Sequence, residues 1–189
     1  MRPAALIGAL WFLFAVSWLV AALWSSRPAG RLGLSAELPS RAVLIIGGII
    51  FYVPARHYNG PSRLWHPSPL LFWLCIACML MGFAFAWWAR ITMGALWSGR
   101  ITRKADHPIL DTGPFGIVRH PIYSGILLAV LGTLLVKGTV LGIVGALLIV
   151  AGIWMKARLE ENWLSSELGA AGYDAYRRRV PMLIPFGPR

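Results

Sequence analysis

The sequence is dominated by long apolar runs, and these constrain its fold more than any other feature. Runs at residues 4–24, 68–89, about 122–136 and 139–155 carry no charged side chains, and a shorter run lies at 41–55. Crossing a bilayer takes about 20 mostly apolar residues in an α-helix. The pattern predicts an all-α integral membrane protein with five transmembrane helices.

The overall composition supports a membrane location. Charged residues make up 13% of the chain, whereas a soluble domain has roughly a quarter. The 10 tryptophans and five tyrosines suit the two membrane interfaces. The formal net charge of +11 is spread along the chain rather than gathered in one patch, so anionic lipid explains it better than nucleic acid. We expect membrane lipid and no nucleic acid among the partners.

Two features that could indicate other classes of protein have simpler explanations. Cys75 and Cys78 form a CxxC, but it lies within an apolar run with no second pair and no nearby histidine. Buried cysteine packs as a small apolar side chain, so we expect no metal site and no disulfide framework. The N-terminal run is longer than the apolar core of a signal peptide, about 7–15 residues, and lacks a cleavage site, which predicts a retained helix.

The charged residues predict which helix ends share a side of the membrane. Lys137 and Gly138 alone separate the last two runs, which predicts an antiparallel helical hairpin. With five helices and a cytoplasmic C-terminus, all seven acidic residues and most of the 18 basic residues lie inside, the exceptions being Arg2, Arg56, Arg63 and Lys137. The positive-inside rule favours this orientation. We predict that the polar chemistry lies on the cytoplasmic face, even if residues 41–55 only re-enter the membrane.

Two predicted cytoplasmic segments hold most of the polar residues. One is the loop at 90–121, and the other is the tail at 156–189. The last membrane helix is expected to continue through KARLEENWLSSELG to a C-cap at Gly169, and a short helix, GYDAYRRRV, should follow. We therefore divide the chain into an N-terminal region of three helices, 1–89, and a functional region, 90–189.

The stretch GPFGIVRHPIYSG, residues 113–125, places polar groups at the start of a membrane helix. Its opening Gly-Pro pair is typical of a turn, and Pro121 suits the first turn of the helix, where its missing N–H costs nothing. Arg119 and His120 are therefore predicted at the N-terminus of this helix. Such a terminus carries unpaired N–H groups and a partial positive charge.

This helix start could bind an anion. Arg119 beside a helix N-terminus suits a carboxylate or a phosphate. Tyr123 can direct its hydroxyl to the same place, and Gly125 leaves room for a close approach of the backbone. The alternative is an Arg that extends to the membrane interface beside an interfacial Tyr, and the stretch alone does not choose between the two.

Glu160 and Glu161 form a second candidate, just beyond the last membrane helix. Lys156 and Arg158 precede them, so i,i+3 and i,i+4 ion pairs at a solvated helix end are one explanation. Acids next to the membrane could instead bind a ribose diol, a sulfonium or an ammonium group. The tail YDAYRRRVPMLIPF, taken alone, is typical of a basic amphipathic helix lying on anionic lipid.

Taken together and in this order, these motifs resemble the isoprenylcysteine carboxyl methyltransferase family. The resemblance rests on RHPxYxG, on the adjacent glutamates and on a Y-x-x-Y-basic-V-P tail, and it spans residues 90–185, about half of the chain. Families with the same layout include phospholipid N-methyltransferases, thiol S-methyltransferases and NADPH-dependent sterol reductases. The chain departs from the family pattern at Phe115, where Tyr is more frequent, and at Lys156, where Arg is common.

The resemblance implies S-adenosyl-L-methionine as the cofactor and S-adenosyl-L-homocysteine as the product. The cofactor's carboxylate would lie at the helix start marked by Arg119, and the adjacent glutamates would meet the ribose or the positive end. The loop before Phe115 and the end of the tail would enclose the adenine. The residues expected to bind the cofactor are Leu110, Gly113, Pro114, His120, Pro121, Tyr123, Gly125, Glu160, Glu161 and Leu183.

The resemblance also implies methyl transfer to a lipophilic substrate that enters from the bilayer, most like the α-carboxylate of a prenylated cysteine. A carboxylate is ionised at neutral pH and needs a cation to hold it, for which Arg119, Arg158 and Lys156 are candidates. A thiol or a lipid amine would instead need a base, for which Glu161 or His120 could serve. We expect catalytic roles for Arg119, Arg158 and Glu161.

Two other functions fit the sequence less well. An NADPH-dependent membrane reductase of the sterol type would need a larger basic loop for the dinucleotide and more spans. A non-catalytic scaffold or transporter subunit would not need this polar cluster, and transport favours polar residues within the spans. The leading hypothesis is a multi-pass membrane methyltransferase that uses no metal.

Overall fold

The computed structural model describes residues 3–25, 30–52, 63–98, 102–103, 110–168 and 170–187. The regular elements among these residues are all helices apart from one antiparallel pair of two-residue strands, β1 (Gly30–Arg31) and β2 (Thr102–Arg103). The α-helices are α1 (Pro3–Ala22), α2 (Leu34–Tyr52), α3 (Pro69–Met93), α4 (Pro114–Ile117), α5 (Pro121–Lys137), α6 (Val140–Leu168) and α7 (Ala170–Arg179). A 3₁₀ turn, Gly94–Leu96, follows α3. The predicted all-α class is confirmed.

Among the described residues, four helices are long and apolar enough to cross a membrane, namely α1, α2, α3 and α6. Several such helices are typical of a multi-pass membrane protein. The fourth predicted span corresponds to α5, which is apolar but has only 17 residues. The total of five spans therefore stays a prediction.

The predicted start of the second span was wrong. Helix α2 begins at Leu34 rather than at Arg41, and it accommodates Pro39 within its length. The first two turns of α2 are polar, so a prediction based on hydropathy does not include them in the helix. These turns carry the buried side chains of Glu37 and Ser40. The predicted end of that span, residues 53–55, lies outside the described residues.

The junction between α5 and α6 forms as predicted. Helix α5 ends at Lys137, and Gly138 adopts the left-handed conformation at φ 57°, which residues with a side chain rarely tolerate. The Gly138 N–H donates to the carbonyl of Leu134 at 2.9 Å. Helix α6 then runs without a break to Leu168, as its sequence indicated, while the expected cap at Gly169 lies outside the described residues.

Glycines bring the helices together in two close antiparallel pairs. In the α3–α5 pair, a Cβ added to Gly125 would lie 2.4 Å from the carbonyl oxygen of Gly82. In the α2–α6 pair, a Cβ on Gly145 would lie 2.6 Å from the backbone nitrogen of Phe51. Small residues let membrane helices approach until their backbones touch, which is how such helices gain packing energy without a hydrophobic effect between them.

Helix α1 packs across α3 and α5 through aromatic side chains. The ring of Phe14 stacks on Phe83 at 4.4 Å between centroids, and Trp11 meets Phe83 edge to face at 5.0 Å. The indole of Trp11 also donates to the Thr133 hydroxyl at 3.0 Å. Because that hydroxyl lies among apolar helices, this bond satisfies two polar groups that would otherwise be costly to bury.

The polar residues collect at one end of the helices, formed by the ends of α1, α3 and α6 and the starts of α2 and α5. There the buried guanidinium of Arg90 donates to the carbonyls of Ala21 and Gly94 and lies 4.6 Å from the ring centroid of Trp97. Arg63 and Lys137, two of the predicted exceptions, lie at the opposite end, where Arg63 donates to the carbonyl of Val136. The predicted grouping of helix ends is therefore confirmed among the described residues.

Two neighbouring glycines of α2 should respond differently to alanine. A Cβ on Gly47 would lie 2.9 Å from Leu148 Cβ and 3.0 Å from the backbone nitrogen of Ile149, whereas a Cβ on Gly48 would meet nothing within 4 Å. We expect Gly47→Ala to destabilise the protein by about 1–3 kcal/mol through overpacking. Gly48→Ala should be neutral or stabilising by up to about 1 kcal/mol, because alanine favours a helix.

The comparison requires thermal unfolding of both variants in one detergent. Equal unfolding temperatures for the two variants would contradict the close α2–α6 contact.

Candidate active site

The stretch 113–125 and the C-terminal tail lie side by side at the polar end. After α4, the backbone N–H groups of Arg119 and His120 donate to the carbonyls of Pro181 and Met182 at 2.8 and 3.1 Å. One turn into α5, the Ser124 hydroxyl donates to the carbonyl of Leu183 at 2.6 Å. These bonds hold the start of α5 against residues 181–183, which are far away in the sequence.

Arg119 holds three elements together. Its Nε donates to Glu161 Oε1 on α6 at 2.6 Å, and its Nη1 donates to the carbonyl of Arg177 at 3.0 Å and to that of Val180, both at the end of α7. Arg119 and Glu161 are both buried. A buried charge is tolerated only when it is paired and hydrogen-bonded, so each of these groups depends on the other.

Within the described part of the chain, the two carboxylate oxygens of Glu161 are bonded differently. Its Oε1 accepts from Arg119 and lies 3.2 Å from His120 Nε2. Its Oε2 has no hydrogen-bond donor in the described part of the chain, and the Arg177 Nε stands 3.6 Å away at ion-pair distance. The residue is 0% exposed. Buried carboxylate oxygens nearly always accept a hydrogen bond, so this atom is suited to a donor on a bound molecule.

A second polar contact lies beside the first. The Tyr123 hydroxyl donates to Glu160 Oε2 at 2.9 Å, and the Tyr123 ring stacks on His120 with 5.4 Å between centroids. The Lys156 ammonium lies over the Tyr123 ring, 5.6 Å from its centroid. Tyr123 and His120 thus connect the two adjacent glutamates into a single cluster.

Helix α7 closes the cluster with aromatic side chains rather than lying free on lipid. Tyr173, Tyr176 and Val180 are buried and pack with Leu164 of α6. The Tyr176 hydroxyl donates to the carbonyl of Phe115 at 2.8 Å, which ties α7 to α4. Burial raises the pKa of Tyr173 and of Tyr176 well above the ordinary value, so both remain neutral phenols.

The structure brings most of the predicted site residues together. Arg119, His120, Tyr123, Glu160 and Glu161 form the cluster itself. Around it, Pro121 is buried in the first turn of α5, and Leu183 packs against the same apolar core cluster as Tyr123. In the loop before, Gly113 takes φ 57° and caps α4, Pro114 is buried, and Leu110 is half-buried.

Two predicted residues are not brought to the cluster. Gly125 faces Gly82 in the α3–α5 contact, so its missing side chain serves helix packing. Arg158 is exposed, and its guanidinium lies 5.4 Å from the ring of Trp154. Arg158 therefore occupies a different face of α6 from Glu161.

Sequence reasoning gave no individual role to two charged residues at the polar end. Arg177 belongs to a basic run that suggested contact with lipid, yet it lies beside Glu161. Glu37 was assigned to a loop because the start of α2 was placed too late. An acid just before an apolar run, four residues ahead of Arg41, was the sequence signal that could have found it.

The fold and the cluster define a class of protein: a helical multi-pass membrane protein with a buried guanidinium–carboxylate–imidazole group where several helices end. Residues 74–166 match the isoprenylcysteine carboxyl methyltransferase (ICMT) family. The chain belongs to this family, which confirms the resemblance in the sequence motifs.

Two relatives illustrate the similarity. The chain is 34% identical over 90 residues to the protein-S-isoprenylcysteine O-methyltransferase of Schizosaccharomyces pombe, which covers 46% of this chain and 36% of that protein. It is 32% identical over 188 residues to methanethiol S-methyltransferase 2 of Bradyrhizobium diazoefficiens, which covers 92% of this chain and 70% of that protein. The chain thus spans about a third of the first relative's length and most of the second's.

Removing the charge of Arg119 should loosen α7. Arg119→Met leaves Glu161 buried without its closest cation, which costs about 3–5 kcal/mol of stability. The double variant Arg119→Met/Glu161→Leu should regain part of this loss, because no unpaired buried charge remains. Thermal unfolding and limited trypsin cleavage in α7 measure both effects.

Arg178→Ala is the matched control, since Arg178 is exposed on the same helix. A single variant Arg119→Met as stable and as resistant to trypsin as Arg178→Ala would contradict the role given to the pair.

Proposed function

We propose that this chain is an S-adenosyl-L-methionine-dependent methyltransferase that acts on a lipophilic substrate at the membrane. The observation that carries the proposal is the buried Glu161, whose Oε2 has no hydrogen-bond donor in the described part of the chain, beside the Tyr123–Glu160 pair. Membership of the family supports it, as do the two relatives, which are named as methyltransferases.

The residues of the cluster fit this cofactor. Glu160 and Glu161 offer carboxylate oxygens for an ammonium group, a ribose diol or a sulfonium. The first turn of α5 has N–H groups without an intrahelical acceptor, at Ile122 and Tyr123, which suit a carboxylate. We also assign Leu110, Gly113, Pro114, Pro121 and Leu183 to the border of this site. When bound, the cofactor supplies a methyl group on a sulfonium, which is already an activated leaving group.

The protein's own residues therefore have two main tasks. They orient the two reactants, and they exclude water from the site. Arg119 is a positioning residue in this scheme, because it bonds Glu161 and the end of α7 and thereby holds the wall of the site in place. The buried aromatic face of α7 keeps solvent away from the reacting groups. Aligning the two reactants and excluding water are sufficient to promote a reaction of this kind.

Two classes of nucleophile have support. The carboxylate of a prenylated cysteine is the first, and it needs a cation. Of the three candidate cations, Lys156 lies beside Tyr123, whereas Arg119 is bonded to Glu161 and Arg158 lies on another face of α6. A thiol is the second class. It needs a proton acceptor, which His120 and the adjacent glutamates provide, and the relative that aligns with 92% of this chain is named for thiol methylation.

We place the site on the cytoplasmic face and assign the functional region to residues 90–189. The support is the charge distribution: apart from four exceptions, the 18 basic residues belong to segments that share this side under the positive-inside rule. Cysteine substitution at exposed Arg178, followed by labelling with a reagent that does not cross membranes, tests the orientation in vesicles of known sidedness. Labelling of Arg178→Cys only from the outer side would contradict it.

Cofactor binding is the direct test of the proposed function. We expect the purified protein to bind S-adenosyl-L-homocysteine in a calorimetric titration and to give no heat with NADPH. Tyr123→Phe should weaken binding by roughly tenfold or more, because a hydrogen bond to a charged group contributes about 1.5–3 kcal/mol. Glu161→Gln should weaken it as well, whereas Arg178→Ala should not. Binding of NADPH alone would refute the methyltransferase and favour a reductase.

The pH dependence of methyl transfer distinguishes the two nucleophiles. A thiol has a pKa of about 8.5, so its methylation rate should rise as the pH increases from about 6 to 8, whereas a carboxylate with a pKa near 4 gives a flat profile in this range. Labelled cofactor and a panel of prenylcysteines, thiols and lipid amines provide the measurement. Lys156→Met should abolish methylation of a carboxylate and spare that of a thiol.

A further inference from the structure

Arg177 stands beside the cluster, and the proposed function gives it no role. Its Nε lies 3.6 Å from Glu161 Oε2, and its Nη1 lies 3.8 Å from Asp174 Oδ1. Both separations exceed the usual length of a hydrogen bond between an N–H and an oxygen, about 2.7–3.2 Å. Within the described part of the chain, the Arg177 guanidinium therefore makes ion-pair contacts but donates no hydrogen bond.

The main chain at Arg177 is held in place, although its side chain is not hydrogen-bonded. Its carbonyl accepts from Arg119 Nη1 at 3.0 Å, and Tyr173 and Tyr176 of the same helix are buried. The Arg177 side chain is 31% exposed, whereas that of Glu161 is 0% exposed. The guanidinium thus extends from the buried carboxylate toward solvent, where an incoming molecule would meet it.

The two groups are complementary in the bonds that they lack. Among the residues that the structure describes, Glu161 Oε2 has no donor and the Arg177 guanidinium has no acceptor. A buried carboxylate oxygen nearly always accepts a hydrogen bond, so a molecule that satisfies this one brings a donor. An α-amino acid group brings a donor and an acceptor together, because its ammonium and its carboxylate are attached to one carbon atom. A ribose diol could donate to Glu161, but it carries no charge for Arg177 to bind.

We propose that Glu161 and Arg177 together bind the amino-acid end of the cofactor. The inference rests on the proposed function. Glu161 Oε2 accepts from the ammonium group of the ligand, and the Arg177 guanidinium donates to its carboxylate, in addition to the N–H groups at the start of α5. Both are bonds between charged groups, which are stronger than neutral hydrogen bonds. Methyl transfer changes neither group, so the cofactor and its product are held alike at this end.

The test compares three ligands that lose these charges in turn. S-adenosyl-L-homocysteine carries both, its decarboxylated analogue keeps the ammonium group alone, and 5′-methylthioadenosine has neither. We expect Arg177→Met to weaken binding of S-adenosyl-L-homocysteine by roughly tenfold or more, the effect of losing a hydrogen bond between charged groups. The affinities for the other two ligands should fall by less than about twofold, because neither has a carboxylate for the guanidinium to bind. Calorimetric titration measures all three.

Arg178→Met is the matched control, because Arg178 is the next residue of α7 and is exposed. It removes the same charge and should leave all three affinities unchanged. Arg177→Lys decides the matter if Arg177→Met does not fold. A lysine keeps the positive charge but lacks the planar fork of donors, so this variant should lower the preference for S-adenosyl-L-homocysteine over the decarboxylated analogue by about threefold.

The outcomes separate the two proposals. If the ratio of the dissociation constants for S-adenosyl-L-homocysteine and its decarboxylated analogue stays unchanged in the Arg177 variants, the role of Arg177 is overturned while the cofactor site stays intact. Equal losses for all three ligands would give this result, because Arg177 would then support α7 without contacting the ligand. A shift of the same size in Arg178→Met would also overturn the inference, because the effect would then reflect net charge. If the unmodified protein binds none of the three ligands, the proposed function fails and this inference fails with it.

Discussion

The buried ion pair between Arg119 and Glu161 is the interaction on which the polar end of this protein depends. Arg119 stands where α4 leads into α5, Glu161 stands on α6, and the carbonyls that complete the guanidinium's bonding belong to α7. A guanidinium is suited to this task because it presents several donors in a fixed plane. One side chain therefore fixes the relative positions of three segments, and the remaining polar groups are arranged around it.

Local signals in the sequence predicted much of this architecture. Apolar runs gave the approximate positions of the helices, and the Lys137–Gly138 turn gave the hairpin, because both depend on neighbouring residues only. The burial of Glu161 follows a period as well, since Ile149, Ile153 and Ala157 precede it at steps of four on the buried face of α6. The same period explains why Arg158, one position further round from Ala157, is exposed.

Other features depended on contacts that a sequence does not display. The pairing of Arg119 with Glu161 depends on how α6 and α7 pack against the start of α5, and nothing local to the RHP motif encodes that packing. Glu37 was missed because a polar start to a helix resembles a loop when only hydropathy is considered. Gly125 was assigned to the cofactor because a glycine beside a motif suggests space for a ligand, whereas the space is filled by the backbone of α3.

The pairing of residues 119–120 with residues 181–182 has a consequence for the order in which the protein matures. The apolar helices of the described part of the chain precede residues 181–182, so they can insert and pair before these residues leave the ribosome. The backbone bonds from Arg119 and His120 cannot form until Pro181 and Met182 have emerged. The membrane helices can thus pair first, and the cluster becomes complete only after residues 181–182 have joined them.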